Sequence, residues 1–536
     1  MYTKGMKKVM KIRTKENKNV QIPQVLYMIL VTALLLAVLV IASYLAYNAI
    51  QYSCLVEYDQ QIWLEIDEPL EHVGVFLKVC VAVVIIELLL RRIPKYQEKI
   101  GLAVLAPAAV AMAIMGFLLV RDHPYYPEGD QLIATAAASY FRQADYQMLV
   151  RNGYMGLYPQ QKNFAFLYEI LFNVFGDFCY NVAQRIHVCC CIVTLVCGYF
   201  AMKNWGQKVT ARIVYCILMT CCLPFLLYIP YIYGDLPSVC FCMTLFWAVS
   251  AYEKEYRMRH LVIAAFAASL AYMVRKNVLI VLIALGIGMA LVSLKKRSLR
   301  PLIAAVCILA VTFGTAQGVE FMYEMRSGYE SDGGIPGVLW IAMGLQETDG
   351  MPGRYNRYNQ AVYEEADFDR NLAAKIGMEY IEERIGELHE KPKSAKDFFH
   401  RKLQQQWLEP TFESFCYTGT FEEGAEISEE IQDLYYGEKN YSVRNFCNNY
   451  QSIVYLAFWL FVIGAMVDRT PEGTFWIPLI AITGGFLFSV IWESKCRYVF
   501  PYFMFMLLYV PSGLGCLVGV CDTVWGKVLR KRDIGK

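Results

Sequence analysis

The chain has 536 residues, of which 57% are hydrophobic and only 18% are charged. A soluble protein of this length needs more charged surface to stay in water, so the composition excludes a soluble globular protein. The formal net charge is +2. This balance gives no reason to expect a nucleic-acid-binding protein, which would carry a clear basic excess.

Apolar stretches of about 20 residues, long enough to cross a bilayer, recur along most of the chain. The first follows the lysine-rich segment 1–24. It is too long for the apolar part of a cleavable signal peptide, so we expect it to remain as a helix. About twelve spans are predicted, and therefore an all-α, polytopic membrane protein. Their approximate bounds are residues 25–47, 73–90, 101–120, 184–202, 210–229, 236–252, 261–274, 277–294, 301–319, 451–467, 474–491 and 498–520.

Lysine and arginine give the orientation of these spans, because cytoplasmic loops carry the excess of basic residues. Both terminal segments, 1–24 and 521–536, are basic and are predicted to be cytoplasmic. The apolar run from Asn163 to Phe175 is only about 13 residues long, so we interpret it as an interfacial or re-entrant helix. Counting it as a span would place the later basic loops outside. The internal basic loops on the cytoplasmic side are those around Arg91, Lys203, Lys254 and Lys295.

Two long segments then lie outside the membrane. Residues 121–185 form an external loop within the transmembrane module 25–319. Residues 320–450 form the only polar stretch of domain size and precede the C-terminal spans in 451–520. Mixed charges at helical spacing from Glu364 to Gln406 predict that this extracytoplasmic domain is small and mostly helical.

Two aspartates stand at the predicted outer ends of apolar stretches. Asp130 precedes a run of small residues, and Asp235 begins the sixth predicted span. A carboxylate at such a boundary can serve as a general base. The alternative is a helix cap, since Asp before a helix accepts its free N–H groups. A single aspartate of this kind is more often a cap, but two on one face favour catalysis.

Basic residues also fall on the predicted outer face, where they are normally depleted. Arg275 and Lys276 interrupt a long apolar stretch, and Arg497 follows Lys495 before the last span. A guanidinium can grip two phosphate oxygens and an ammonium supplies a point charge, so the patch favours phosphate binding. Glu493 would orient one of these cations. The alternative is a polar turn with an internal ion pair.

Motifs for metals and nucleotides are absent from the sequence. The six histidines are scattered without HExxH spacing, and neither a phosphate-binding P-loop nor a dinucleotide fingerprint occurs. We therefore predict no metal ligand, no required cofactor and no ATP-driven transport, although a divalent metal stays compatible with the sequence. Cys416 and Cys447 lie in the polar region, and a disulfide or two free thiols are both open alternatives.

The clusters, in this order, resemble the GT-C superfamily of integral membrane glycosyltransferases, especially protein O-mannosyltransferases (glycosyltransferase family 39) and the lipid A aminoarabinose transferase. Those enzymes place one acidic residue in the first large external loop and a second in the next. Asp130 matches the first position and Asp235 the second, and Asn163 to Phe175 resembles their juxtamembrane helix. The chain departs from the usual pattern because three predicted spans precede Asp130, which also lacks an acidic neighbour.

The chain is similar as well to a group of uncharacterised Gram-positive membrane proteins of the same superfamily. This likeness covers most of the chain, but each shared motif is short. The motifs are Tyr158–Gln160, Tyr233–Asp235, Arg275–Asn277, Trp340–Leu345, Lys402–Trp407 and Glu493–Tyr498.

The resemblance implies an inverting transfer of a sugar from a polyprenyl-phosphate donor at the outer face of the plasma membrane. The acceptor would be a cell-envelope glycan, a lipid or a protein. Asp130 would take the proton of the acceptor hydroxyl, and Asp235 would orient the base or the acceptor. Arg275, Lys276 and Arg497 would bind the donor phosphate. The further residues assigned to substrate binding are Tyr158, Gln160, Lys162 and Glu493.

Three other functions stay open on the sequence alone. A transporter or flippase of lipid-linked saccharides would use the same cationic patch without catalysis, although no internal repeat typical of transporters is found. A polymerase or ligase of lipid-linked saccharides would meet its donor on the same face. A structural scaffold would leave the external charged clusters without a role.

Overall fold

The computed structural model describes residues 2–57, 61–176, 179–467 and 473–516, with side chains from residue 22 onward. Within these ranges the regular structure is helical apart from two short hairpins, so the predicted all-α class is confirmed. The predicted cytoplasmic tail 521–536 lies outside the described residues.

The N-terminal part of the chain forms mainly long apolar helices. Its helix α6 covers the predicted interfacial segment and ends at Gly176, which has a φ of 59°. The helices are α1 (Tyr2–Ala49), α2 (Pro69–Arg91), α3 (Gln97–Asp122), α4 (Gly129–Arg142), α5 (Tyr154–Leu157), α6 (Gln161–Phe175), α7 (Cys179–Asn204), α8 (Val209–Cys221), α9 (Leu223–Leu227), α10 (Asp235–Glu255), α11 (Met258–Val274), α12 (Leu279–Lys296) and α13 (Arg300–Ser327).

The polar region 320–450 forms mostly shorter helices, and apolar helices follow it. Its helical content agrees with the sequence pattern, while its placement outside the membrane stays a prediction. The helices are α14 (Gly337–Gly344), α15 (Tyr358–Glu365), α16 (Arg370–Glu390), α17 (Pro392–Trp407), α18 (Ser414–Thr418), α19 (Glu429–Tyr436), α20 (Glu438–Val467), α21 (Trp476–Ile491) and α22 (Cys496–Met506).

Among the described residues, nine helices are long and apolar enough to cross a membrane. A bent pair, Cys496–Met506 followed by Val510–Cys516, raises this number to ten if it is one span. Helices α8 and α11 are apolar but shorter, with 13 and 17 residues. Each predicted span overlaps one of these helices, so the chain has the architecture of a multi-pass membrane protein. The total of twelve spans and the cytoplasmic position of the termini stay predictions.

The outer surface of the long helices is apolar. Helix α3, for example, exposes Val110, Ile114, Phe117 and Leu118. A helix that is hydrophobic on all sides is either buried in a large core or faces lipid. Because these side chains are exposed in the structure, we infer that they contact lipid.

Packing of the apolar helices brings several of their ends together. Helix α10 packs against α7 and α11, whereas α12 packs against α13 and α21, and α21 packs against α22. Close approach of α12 and α21 relies on glycine, since a Cβ at Gly484 would lie 2.8 Å from Ile280. As a result, the start of α10, the end of α11, the start of α12, the end of α21 and the start of α22 meet around one cavity.

Two features were not fixed by the sequence. The acidic loop after α1 contains an antiparallel hairpin of β1 (Tyr52–Val56) and β2 (Ile62–Ile66), and a smaller hairpin joins β3 (Glu347–Thr348) to β4 (Met351–Pro352). Cys416 and Cys447 are both free thiols, which decides between the two alternatives for this pair.

Candidate active site

A cavity of about 560 Å³ lies where these helix ends meet the polar region. Its volume falls within the range of small-molecule sites, about 300–1,000 Å³. Most of the residues singled out in the sequence line it. They are Asp130, Tyr158, Gln160, Arg275, Lys276, Glu493 and Arg497.

Asp130 is the accessible carboxylate of this cavity, with its side chain 49% exposed. It lies in the first turn of α4, but the N-cap position of that helix is Glu128, whose side chain makes no capping hydrogen bond. The Tyr154 hydroxyl donates a hydrogen bond of 3.1 Å to Asp130 Oδ1, and an Arg497 guanidinium nitrogen lies 3.7 Å from Oδ2. Asp130 therefore faces the cavity with room for a hydroxyl-bearing ligand.

Asp235 occupies a different environment, fully buried behind Arg275. Its Oδ2 forms an ion pair of 2.5 Å with the Arg275 guanidinium, and its Oδ1 has no hydrogen-bond partner among the described residues. Gly234 permits this approach, because a Cβ there would lie only 2.0 Å from the Val274 carbonyl oxygen. Asp235 is absent from the described lining of the cavity, so its position suits the orientation of Arg275.

Tyrosine rings hold the two arginines close together. The rings of Tyr233 and Tyr498 each lie within 6 Å of both guanidinium groups, at 5.8 and 5.4 Å from Arg275 and 5.5 Å from Arg497. The Tyr417 ring adds a third contact to Arg497, at 4.8 Å. Aromatic faces attract cations. The two like charges are therefore held side by side by shared aromatic rings, in addition to the carboxylates of Asp235 and Asp130.

The cavity as a whole has an excess of positive charge. Five lining side chains are cationic, namely Arg275, Lys276, Arg370, Lys495 and Arg497. Two are carboxylates, which leaves a formal excess of three positive charges, or two when the buried Asp235 is included. Such an excess favours an anionic ligand.

Glu493 and Lys495 form an ion pair at the floor of the cavity. The Lys495 ammonium lies 3.4 Å from Glu493 Oε1, and the Tyr498 hydroxyl donates to Glu493 Oε2 at 3.1 Å. Burial alone would lower the pKa of Lys495, but the neighbouring Glu493 carboxylate and other anionic groups raise it overall. Lys495 is therefore charged at neutral pH, as the predicted basic patch requires.

Aromatic side chains form the opposite wall. The rings of Trp340 and Trp492 are stacked at 5.9 Å, Phe488 stacks on Trp492 at 4.9 Å, and the Tyr158 ring lies 6.1 Å from Trp340. Trp340 comes from α14 in the polar region, as does Arg370 from α16. Their part in the site is not predictable from spacing, because it depends on how this region packs onto the apolar helices.

Lys162, which the sequence assigns to substrate binding, is separated from this cavity. Its ammonium pairs with Glu320 at 3.1 Å, and it lines a second cavity on the other side of the loop. The other assigned residues, Tyr158, Gln160 and Glu493, are brought together in the first cavity.

In the described part of the chain, no group of three or more His, Cys, Asp or Glu side chains is arranged so that it could hold a metal ion.

Comparisons with known protein families, with curated proteins and with solved structures find no match to the chain. Function must therefore be inferred from the geometry of the cavity and from the resemblance of its motifs.

Proposed function

We propose that this protein is a membrane glycosyltransferase that moves a sugar from a polyprenyl-phosphate donor to an acceptor hydroxyl at the outer face of the membrane. One observation carries the proposal: an accessible carboxylate, Asp130, lies in the same cavity as five cations and an aromatic wall. The carboxylate suits proton removal, the cations suit a phosphate leaving group, and the aromatic rings suit the faces of a sugar.

The apolar edge of the cavity supports a lipid-linked donor. Leu279 and Ile280 of α12 belong to the lining, and one helical face of α12 continues away from it with Leu279, Ile283 and Ile287 exposed. These positions are spaced by four residues and so lie on one side of the helix. An isoprenoid chain could follow this apolar strip while its phosphate stays with the cations.

The proposed reaction balances within these groups. Asp130 accepts the proton of the acceptor hydroxyl as its oxygen forms a bond to the anomeric carbon. The bond between that carbon and the phosphate oxygen breaks, and the phosphate leaves with the bonding electron pair. Arg275 and Arg497 stabilise the charge that grows on the phosphate, which accelerates the step because the interaction strengthens in the transition state. Attack from the opposite face inverts the anomeric configuration.

A transfer assay with a labelled donor tests the proposal directly. The full-length protein, purified in detergent or reconstituted in liposomes, is incubated with radiolabelled polyprenyl-phosphate sugars and membrane-glycan, lipid or peptide acceptors. We expect loss of the labelled donor, release of polyprenyl phosphate and formation of a product with inverted configuration. Movement of intact donor across liposomes without bond cleavage would instead identify a transporter and overturn the proposal.

A further inference from the structure

A second cavity, of about 400 Å³, lies next to the candidate active site. One part of its lining comes from the segment before α6 and from the first turn of α6. The other part comes from the end of α13 and the loop that follows it. It contains Lys162, which the first cavity lacks among its described lining. The residues used in the following argument are Arg151, Lys162, Glu324, Tyr329, Glu330 and Asp332.

Two chain segments form a wall between the cavities. In the first segment Gly156 and Lys162 face the second cavity, whereas Tyr158 and Gln161 face the first. In the other segment, Asp332 lines the second cavity and the next residue, Gly333, lines the first. The Ile335 amide donates a 3.1 Å hydrogen bond to the Leu157 carbonyl and joins the two segments. The two cavities are therefore lined by neighbouring residues of the same two segments.

The second cavity offers both hydrogen-bond donors and acceptors. Lys162 is a buried ammonium, 4% exposed, and among the described residues it donates one hydrogen bond, to Glu320, so two of its three N–H donors remain for a ligand. In the described part of the chain the Glu324 carboxylate accepts a hydrogen bond only from the Ser331 amide, and Glu330 has no ion pair. A hydroxyl group both donates and accepts, so it satisfies this mixture.

The second cavity differs from the first in its charge. Both of its cations already have carboxylate partners, Arg151 with Asp332 at 2.9 Å and Lys162 with Glu320 at 3.1 Å. Among the residues that the structure describes, neither Glu324 nor Glu330 has a cationic partner. A phosphate or carboxylate on the ligand would meet this negative charge, whereas a neutral hydroxyl would not. The exposed ring of Tyr329, also on the surface of the cavity, offers an apolar face for a sugar ring.

We propose that the second cavity binds a neutral, hydroxyl-rich saccharide that forms part of the acceptor. This inference rests on the proposed function for its role in transfer, but not for binding itself. The opposite charges of the two cavities sort the substrates, because the phosphate-bearing donor is attracted to the first and repelled from the second.

Binding is tested on the full-length protein in detergent, without donor, by calorimetry. The probes are a neutral hexose oligosaccharide and the same oligosaccharide carrying a phosphate. We expect the wild type to bind the neutral probe at the second cavity, whereas the phosphorylated probe binds through its phosphate at the cationic first cavity. The double variant Glu324→Gln/Glu330→Gln loses two charged acceptors of the second cavity, so it should weaken neutral binding by at least about tenfold and leave binding of the phosphorylated probe close to that of the wild type.

The matched control is Glu382→Gln/Glu383→Gln, which changes two exposed carboxylates of α16 away from the cavity. The single variant Glu330→Gln changes only an exposed side chain, so it keeps the test valid if the double variant does not fold. Absence of neutral-probe binding by the wild type, unchanged neutral binding by the folded variants, or an equal loss of binding for both probes would overturn the inference. Binding without any transfer activity would instead overturn only the proposed function, and transfer without this binding only the inference.

Discussion

Asp130 is the single side chain on which the proposed chemistry depends most. Its alternative role as a helix cap loses support, because the N-cap position of α4 is Glu128 and the Asp130 carboxylate is engaged by Tyr154 and Arg497. Asp130→Asn keeps the size of the side chain and removes its basicity. We expect transfer to fall by about two to four orders of magnitude, with unchanged protein level and melting temperature.

The measurement is the initial rate of transfer at saturating donor. Glu128→Gln, two residues earlier in the chain, is the control and should leave the rate close to that of the wild type. A rate within a few-fold of the wild type for Asp130→Asn would assign proton removal to another group or to none.

Arg275 and Asp235 form one buried unit at the back of the cavity, and their variants should therefore behave alike. Arg275→Lys keeps the charge but loses the fork that grips two phosphate oxygens, whereas Arg275→Ala loses both. We expect donor use to weaken in that order, with the maximal rate falling as well as the apparent affinity, because the phosphate gains charge as the bond breaks.

Asp235→Asn should resemble Arg275→Lys, since it leaves Arg275 charged but no longer held by a carboxylate. The test is the transfer rate against donor concentration for the three variants. An unchanged maximal rate and unchanged saturation point in Arg275→Ala would refute the phosphate role of this residue.

The turn between α17 and α18 connects the polar region to Arg497, because α18 carries Tyr417. It holds Phe412 and Glu413 at positive φ of 53° and 62°. The buried Glu409 carboxylate stabilises it by accepting hydrogen bonds of 2.6 Å from the Glu413 amide and the Thr411 hydroxyl. Burial raises the pKa of Glu409 from 4.5 to about 7.

This raised pKa predicts a pH-dependent stability. Between about pH 4.5 and pH 7 the folded protein retains a proton on Glu409 that the unfolded chain has lost, so stability should fall as pH rises through this window. The difference between the two pKa values of Glu409 corresponds to about 3 kcal/mol in the free energy of unfolding. Glu409→Gln should show a flatter dependence of the apparent melting temperature between pH 5 and pH 8. Parallel curves for the variant and the wild type would contradict the assignment, and Glu382→Gln serves as the control.

The wall between the two cavities depends on Gly334. This residue has a φ of 60°, and a Cβ on it would lie 2.5 Å from the Leu157 carbonyl oxygen and from Pro159 Cδ. Gly328, at a φ of 73°, has open space around it. An alanine at either position adopts an unfavourable left-handed conformation, at a cost of roughly 1–2 kcal/mol, but only Gly334→Ala must also displace the wall.

We therefore expect Gly328→Ala to reduce stability modestly and to leave transfer unchanged. Gly334→Ala should reduce transfer several-fold beyond any effect shared with the control. Transfer rate and apparent melting temperature, measured together for both variants, separate the two effects. Equal activity of the variants would show that the wall does not contribute to substrate positioning.

Sequence reasoning located the membrane-flanking part of the site but missed the rest for a physical reason. Asp130, Arg275 and Arg497 interrupt or border apolar stretches, where a charge is costly and therefore informative. Arg370, Tyr417 and Trp340 lie in a polar region, where charged and aromatic residues are common. Trp340 belongs to a short motif shared with similar proteins, but which of the three residues contributes to the site depends on long-range packing.

At the scale of the whole molecule, the cavity constrains the orientation of the chain. The beginnings of α10, α12 and α22 and the ends of α11 and α21 all meet there, so their clusters share one face of the helix bundle. This agrees with the alternation of basic loops, which assigns the same face to the outside. A single cavity built from clusters more than 350 residues apart, from Asp130 to Arg497, requires that these clusters lie on the same side of the membrane, while the side itself stays a prediction.

Single-cysteine labelling of intact cells tests this orientation. A cysteine at the exposed Lys391 of the polar region should react with a membrane-impermeant maleimide, whereas cysteines at the exposed Lys95 and Lys254 should react only after permeabilisation. The expectation follows from the excess of lysine and arginine in the loops around Lys95 and Lys254. Native thiols set the background, since Cys189 and Cys307 are exposed on apolar helices, so the parent chain is labelled in parallel. Reaction of Lys254→Cys in intact cells would place the loop between α10 and α11 outside. The opposite end of α10, where Asp235 pairs with Arg275 from the end of α11, would then face the cytoplasm, and the proposal of an external active site would be wrong.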